Sequence, residues 1–157
     1  DVVARGIHHR DRISALGGAD IGRALAQAVN EAEAVEEASM AMSLASGYKV
    51  TYPIFIDTES ASNGRANGLS KSTRTAVVKA FCQTVRNGGY KAGVYASKSW
   101  YANQLNASAL NGYCIWVAQY NSSCTYSGKY DMWQYSSKGS VSGIKGNVDM
   151  NISYTGY

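Results

Sequence analysis

Cysteine, phenylalanine and charge are all scarce in this sequence, and each shortage removes a class of protein. The three cysteines, Cys82, Cys114 and Cys124, are odd in number and show no C-x-x-C spacing, which excludes a zinc ribbon or a thioredoxin-like pair. Cys114 and Cys124 are candidates for a disulfide in an oxidising setting, with Cys82 left inside an apolar helical stretch. The expectation is three buried free thiols, because unpaired cysteine packs as a small hydrophobe. The two histidines, His8 and His9, have no matching ligands near them in the sequence. They read as surface residues, and no metal is expected. Apolar runs are only a few residues long, well short of the ~20 that a membrane-spanning helix needs. No membrane span is expected. A basic-then-apolar leader is also missing from the opening residues. Any export signal is expected to have been removed, or delivery to follow another route. Charged residues make up 17% of the chain, too few for a disordered protein, which would also be poor in aromatics.

What is present is a length of 157 residues, 45% of them hydrophobic, enough for one domain around one continuous core. The aromatic content is amphipathic, with twelve Tyr and three Trp against two Phe. Such side chains bury a ring and keep a polar tip, which suits surfaces that grip sugars or stay wet. The net charge of +4 is unevenly spread. From Arg86 onward there are six cations (Arg86, Lys91, Lys98, Lys129, Lys138, Lys145) against two acids, Asp131 and Asp149. A basic half-domain suits an anionic polymer, although a merely solvated surface carries the same charges. No helix bears a dense Lys/Arg stripe, so nucleic acid is not an expected partner.

Residues 1 to 22 show neither helical nor strand periodicity and form an unassigned N-terminal segment. The Ala- and Glu-rich run from Ile21 to Ala45 predicts one long helix, with Leu25, Val29, Ala32 and Val35 on its apolar face. Ser46-Gly47 ends it. Ile54-Phe55-Ile56 is continuously apolar and predicts a strand buried on both faces. After a Gly/Asn/Ser loop, Ser70 is placed to cap a helix that runs to about Arg86, with Ala76, Val77, Ala80, Phe81 and Thr84 inward. Gly93 to Ala96 reads as the next strand, and Ser99 to Leu105 as a short helix. This alternation implies a parallel sheet with crossover helices. Three further strands, within 114–120, 130–135 and 143–149, are joined by short loops that leave no room for helices. The fold class read here is α/β, a barrel with a reduced set of helices.

Asp57 and Glu59 sit where an apolar strand gives way to a loop, and parallel barrels build their active sites at that end of the strand. Side chains two apart on a strand point to one side, about 7 Å apart along the backbone. Paired carboxylates repel, which keeps one protonated, and an acid beside an ionised carboxylate is the equipment of glycoside hydrolysis. The D-x-E pattern by itself is equally compatible with a loop cap and an exposed glutamate. Asp149, at the end of the last apolar segment, is the third candidate carboxylate. Two aromatic-amide pairs, Trp116 with Gln119 and Trp133 with Gln134, have the chemistry to stack on a sugar face and bond its hydroxyls. Core packing is the competing explanation for each ring.

Taken together, several stretches resemble the family-25 glycoside hydrolases, the bacterial and phage lysozymes often called N-acetylmuramidases. They are Ala26-Gln27-Ala28-Val29-Asn30-Glu31-Ala32-Glu33, Tyr52-Pro53-Ile54-Phe55-Ile56-Asp57-Thr58-Glu59, Gly93-Val94-Tyr95, Trp116-Val117-Ala118-Gln119-Tyr120, Met132-Trp133-Gln134-Tyr135, and Gly143 to Asn151. They follow the family's order across roughly Arg23 to Tyr154. The resemblance implies a modified TIM-like barrel of the (β/α)5(β)3 type, with residues 23–157 forming a lysozyme-like catalytic domain. The family opens on a strand carrying G-I-D-V-S, and nothing in residues 1–22 matches it. The barrel is therefore expected to be incomplete at its N-terminal end, which leaves an open edge suited to self-association.

The resemblance further implies cleavage of the β-1,4 bond between N-acetylmuramic acid and N-acetylglucosamine in bacterial peptidoglycan, with no cofactor. Glu59 would be the general acid. Asp57 would stabilise the developing positive charge or orient the substrate's acetamido group, and Asp149 would line the site. Tyr95, Trp116, Gln119, Trp133 and Gln134 would form sugar-binding walls. Action outside the cell, at the cell wall, or by phage delivery is expected. The alternatives are a catalytically impaired glycan-binding protein of the cell wall, or another β-1,4 glycosidase such as a chitinase.

Overall fold

The computed structural model describes residues 2–4 and 22–156. Seven strands form one mixed sheet: β1 (Val2–Ala4), β2 (Gly22–Leu25), β3 (Ile54–Asp57), β4 (Ala92–Ser97), β5 (Cys114–Ala118), β6 (Met132–Gly139) and β7 (Val148–Ser153). Their order is β1-β7-β6-β5-β4-β3-β2. Helix α1 (Glu31–Ala45) links β2 to β3, α2 (Lys71–Asn87) links β3 to β4, and α3 (Lys98–Asn103) follows β4. Neighbours from β2 to β6 pair in parallel, whereas β7 is antiparallel to both β6 and β1. β/α units followed by bare strands make the expected α/β barrel architecture. The barrel is incomplete, since β1 and β2 end the sheet and do not pair with each other among the described residues.

The long helix predicted from Ile21 is two elements. Asn30 starts α1, its side chain accepting the Glu33 N–H at 2.9 Å while the Glu33 carboxylate accepts the Val29 N–H at 3.1 Å. This reciprocal cap satisfies donors that a continuing helix would have bonded itself. Upstream of it, Gly22–Leu25 pairs with β3. The buried face shifts accordingly to Ala34, Ala38, Ala41 and Ala45, and Val35 is left 43% exposed. These small side chains let α1 lie close against α2, where Met42 covers Gly88 so tightly that a Cβ there would meet its sulfur at 2.2 Å. Ser70 caps α2 as expected, accepting the Thr73 N–H at 3.1 Å. Its deepest line is Val77, Val78, Phe81, Cys82 and Val85, with Ala76, Ala80 and Thr84 only half-buried.

Alternation along the central strands divides the core into two layers. Ile54, Ile56, Val94, Ala96, Ile115 and Val117 pack outward beneath the helices. Phe55, Tyr95, Trp116, Ala118 and Met132 pack on the inner face. Gly93 adjoins Phe55 in register, and a Cβ on it would lie 2.3 Å from the Phe55 ring. Gly93→Ala is therefore expected to cost about 1–3 kcal/mol through overpacking. Urea denaturation checks this, and an unchanged midpoint would mean that the ring has room to move.

Each cysteine is a thiol rather than half of a disulfide, and only Cys82 is fully buried. The expectation of burial thus fails for Cys114 and Cys124, which are half-buried. Burial pushes the Cys82 thiol well above its ordinary range, so it is unreactive. Asp1 and residues 5–21, with His8 and His9, lie outside the described residues.

Candidate active site

Parallel pairing brings the carboxyl ends of β3, β4, β5 and β6 to one rim, and antiparallel β7 begins there. Asp57 is the last residue of β3. Its carbonyl accepts the Ala26 N–H at 2.9 Å, and the next amide, Thr58 N–H, donates to the Tyr95 carbonyl at 3.0 Å. The turn is thus held by backbone from both sides. The buried Thr58 hydroxyl also accepts the Trp100 indole N–H at 3.4 Å. Asp57 is 2% exposed, whereas Glu59 is half-buried. Because the strand stops at Asp57, its pleat does not set the direction of Glu59. The anchored turn does.

Asp57 is in register with Tyr95, Tyr95 with Trp116, and Trp116 with Met132, which puts Asp57 on the inner face. The Tyr95 hydroxyl donates to Gln134 Oε1 at 2.7 Å. The Trp116 indole donates to Asn151 Oδ1 at 3.0 Å. Each bond ties strands two places apart, nominally ~10 Å, across the inner face. Asp149 precedes Asn151 by two on β7 and so shares its face, at the end of the strand nearer the rim. Asp57, Glu59 and Asp149 therefore belong to one rim of the sheet. Asp149 is half-buried.

The expected sugar-binding residues divide into two groups. Trp116 has no exposed surface. Its ring meets Phe55 and Tyr95 edge-on, with centroids 5.2 and 4.9 Å away, so it packs beneath the site and offers no face to a ligand. Trp133 alternates between inward Met132 and Gln134 and adjoins outward Val117, which places it on the opposite face from Asp57. Its indole N–H donates to the Gln119 carbonyl at 2.8 Å. The Gln119 side chain is engaged at both ends by Thr125, donating to its hydroxyl at 2.8 Å and accepting its N–H at 2.9 Å. Gln119 and Trp133 thus hold the β5–β6 loop, where no crossover helix exists. Trp133 and Gln134, as neighbours on β6, face opposite sides, while Gln119 lies beyond the end of β5 with its side chain bonded to Thr125.

Tyr95 and Gln134 remain on the Asp57 face, and both are buried. Gln134 Oε1 also accepts the hydroxyl of Tyr120 at 3.1 Å. Tyr120 is 60% exposed and supplies the open aromatic ring that Trp116 does not. Sequence reasoning passes over it and over Trp100. Tyr120 carried one signal, its place at the carboxyl end of the strand read over 114–120, two residues beyond the end of β5; nothing local marks Trp100 as a neighbour of Thr58.

Two other carboxylates hold the loop from β2 into α1. Glu37 accepts the Gln27 N–H at 2.9 Å, and burial pushes its carboxyl up while the Gln27 and Ala28 amides pull it back. Glu33 pairs with Arg65 at 3.0 Å, and that bond holds its carboxyl below the ordinary value. Among the described residues no three His, Cys, Asp or Glu side chains are grouped to hold a metal ion.

The family model described as Glycosyl hydrolases family 25 matches residues 25–144. No curated protein sequence matches the chain. The modular autolysin LytC from Streptococcus pneumoniae is similar in structure, with a TM-score of 0.70 and 26% identity over 82% of this chain and 32% of that one. The catalytic domain of endolysin ply40, from bacteriophage P40 of Listeria monocytogenes, gives a TM-score of 0.66 and 26% identity over 83% of this chain and 65% of that one. A family 25 glycosyl hydrolase from Bacillus anthracis shares the fold at a TM-score of 0.70 and 21% identity, over 85% of this chain and 63% of that one. The chain spans less than two thirds of the length of each of these proteins. With the family model matching from the end of β2 to beyond β6, the chain belongs to the glycosyl hydrolases of family 25.

Proposed function

We propose that this chain hydrolyses peptidoglycan at the β-1,4 bond between N-acetylmuramic acid and N-acetylglucosamine. The observation that carries the reading is the rim itself. Asp57 and Glu59 stand at the end of β3, and β7 directs Asp149 to the same end and the same face. In this reading Glu59, the more accessible of the β3 pair, protonates the leaving oxygen. Buried Asp57 stabilises the positive charge that develops at the anomeric carbon, directly or by orienting the acetamido group, and Asp149 lines the site. Tyr95 and Gln134 shape the floor and Tyr120 the exposed wall. The structure of LytC in complex with a synthetic peptidoglycan ligand is similar to this chain at a TM-score of 0.71 and 25% identity, which supports the substrate class. Action would be at the cell wall, from outside the cell or by phage delivery.

Clearing of Gram-positive wall suspensions, followed by identification of the released reducing ends, tests the proposal. Muramic acid ends support it, and glucosamine ends overturn the bond assignment. Asp57→Asn is expected to lower turnover by about 10²-fold or more, since charge stabilisation in a dry site is a large contribution to rate. Undiminished turnover would remove Asp57 from the mechanism.

One observation favours a second reading, a wall-binding protein with little turnover: the sheet is open between β1 and β2 among the described residues. Retention on insoluble walls without any released sugar would decide for it. The same open edge supports self-association through β2, and sedimentation over a range of concentrations checks that.

A further inference from the structure

Arg74 lies in α2 one turn after the Ser70 cap, and its side chain is 2% exposed. Among the described residues no carboxylate pairs with it. One terminal nitrogen donates to two carbonyls, those of Asn67 at 3.2 Å and Leu69 at 3.3 Å. Its Nε, buried as well, has no hydrogen-bond partner. The guanidinium carbon stands 4.9 Å from the centroid of the Trp100 ring. For stability alone this arrangement is a poor one. Burying a cation without a counter-charge is costly, and the amino end of a helix favours anions over cations. A charge kept under those conditions calls for another use.

Its contacts meet both ends of the segment that carries Glu59. At the near end is Thr58, whose buried hydroxyl accepts the Trp100 indole N–H at 3.4 Å. The ring beside the guanidinium thus also holds the residue before Glu59. At the far end are Asn67 and Leu69, which the guanidinium binds directly. Asn67 in turn closes the loop on itself. Its side chain donates to the Ala61 carbonyl at 2.8 Å and accepts the Ala61 N–H at 3.2 Å, two residues beyond Glu59. One rigid planar group therefore ties together the chain from 58 to 69.

Resting on the reading of Glu59 as the general acid, we propose that Arg74 is the positioning residue for that carboxyl. It clamps the loop after β3 through Asn67 and Leu69, and it steadies Thr58 through Trp100. Proton transfer itself is left to Glu59.

Arg74→Met keeps the length of the side chain and removes its charge. It is expected to lower kcat on soluble peptidoglycan fragments by about 10–10²-fold, as a small misplacement of a reacting group does, with KM held within about twofold. The thermal midpoint stays the same or rises, since an apolar chain has no charge to desolvate. Amide exchange at Ala61 is expected to speed up about tenfold, with Val94 in the central sheet unchanged. Trp100→Phe keeps a ring and deletes the N–H, and is expected to lower kcat in the same way. Combined with Arg74→Met it adds little further, because both act through one turn. A residue that only supports the fold would lower the midpoint and leave kcat per folded molecule intact. That outcome, or unaltered exchange at Ala61, overturns the proposal. If Arg74→Met fails to fold, kcat and exchange in Trp100→Phe decide on the same terms. A parent that releases no sugar overturns the reading of Glu59 instead, and Ala61 exchange then judges the clamp by itself.

Discussion

Glu59→Gln is expected to reduce wall hydrolysis by about 10²–10⁴-fold, the usual contribution of a general acid, while stability and wall binding stay close to the parent. The amide keeps the volume and polarity of the carboxyl but has no proton to deliver to the leaving oxygen. Glu59 is half-buried in a turn held by the Asp57 carbonyl and Thr58 amide bonds, and neither bond involves its side chain. Lysis rates on wall suspensions, with a denaturation curve for the same sample, separate chemistry from folding. A variant that lyses at the parental rate would assign the proton transfer to another group. A variant that has lost both lysis and stability would mean that the side chain holds the turn.

The second large effect falls on stability. Trp116→Ala is expected to cost about 3–5 kcal/mol, a large part of the 5–15 kcal/mol typical of a domain. The ring has no exposed surface, meets two aromatic neighbours edge-on, and gives its N–H to Asn151. Its removal opens a hole between β4 and β7 directly beneath the site. Trp116→Phe refills much of that hole but leaves the buried Asn151 oxygen without its donor, at about 1–3 kcal/mol. Chemical denaturation of the two variants separates packing from hydrogen bonding. A loss of under ~1 kcal/mol for Trp116→Ala would contradict a core role and return the ring to the list of sugar contacts.

Local sequence was enough wherever a short-range rule had no competitor. Ser70 caps α2 because its hydroxyl reaches an amide three residues on. Ile54 to Ile56 make a strand because four consecutive residues from Ile54 to Asp57 are buried on both faces. The β3 carboxylates were legible for the same reason, since the end of an apolar strand can be read one residue at a time. Local sequence misled where two elements share one composition. Gly22–Leu25 has no signal that distinguishes it from the Ala-rich helix beyond, and only pairing with β3 makes it a strand.

By itself, then, the sequence determined the order of elements from α1 to β6, the family, and the place of Asp57 and Glu59 at the end of β3, all of which depend on residue type and chain neighbours. The last strand, read at 143–149, is Val148–Ser153, so Asp149 stands near its start and not at its end. Tertiary structure alone decided which aromatic rings face the carboxylates. Trp116 and Trp133 look equivalent as isolated tryptophans near an amide, yet the register of β5 against β6 sends one to the inner layer and the other to the outer face. It also joined Tyr95, Gln134 and Tyr120 across three different segments. Strand alternation fixes only that neighbours point to opposite sides. Which side is inside depends on what the rest of the chain packs against, and that information is nonlocal.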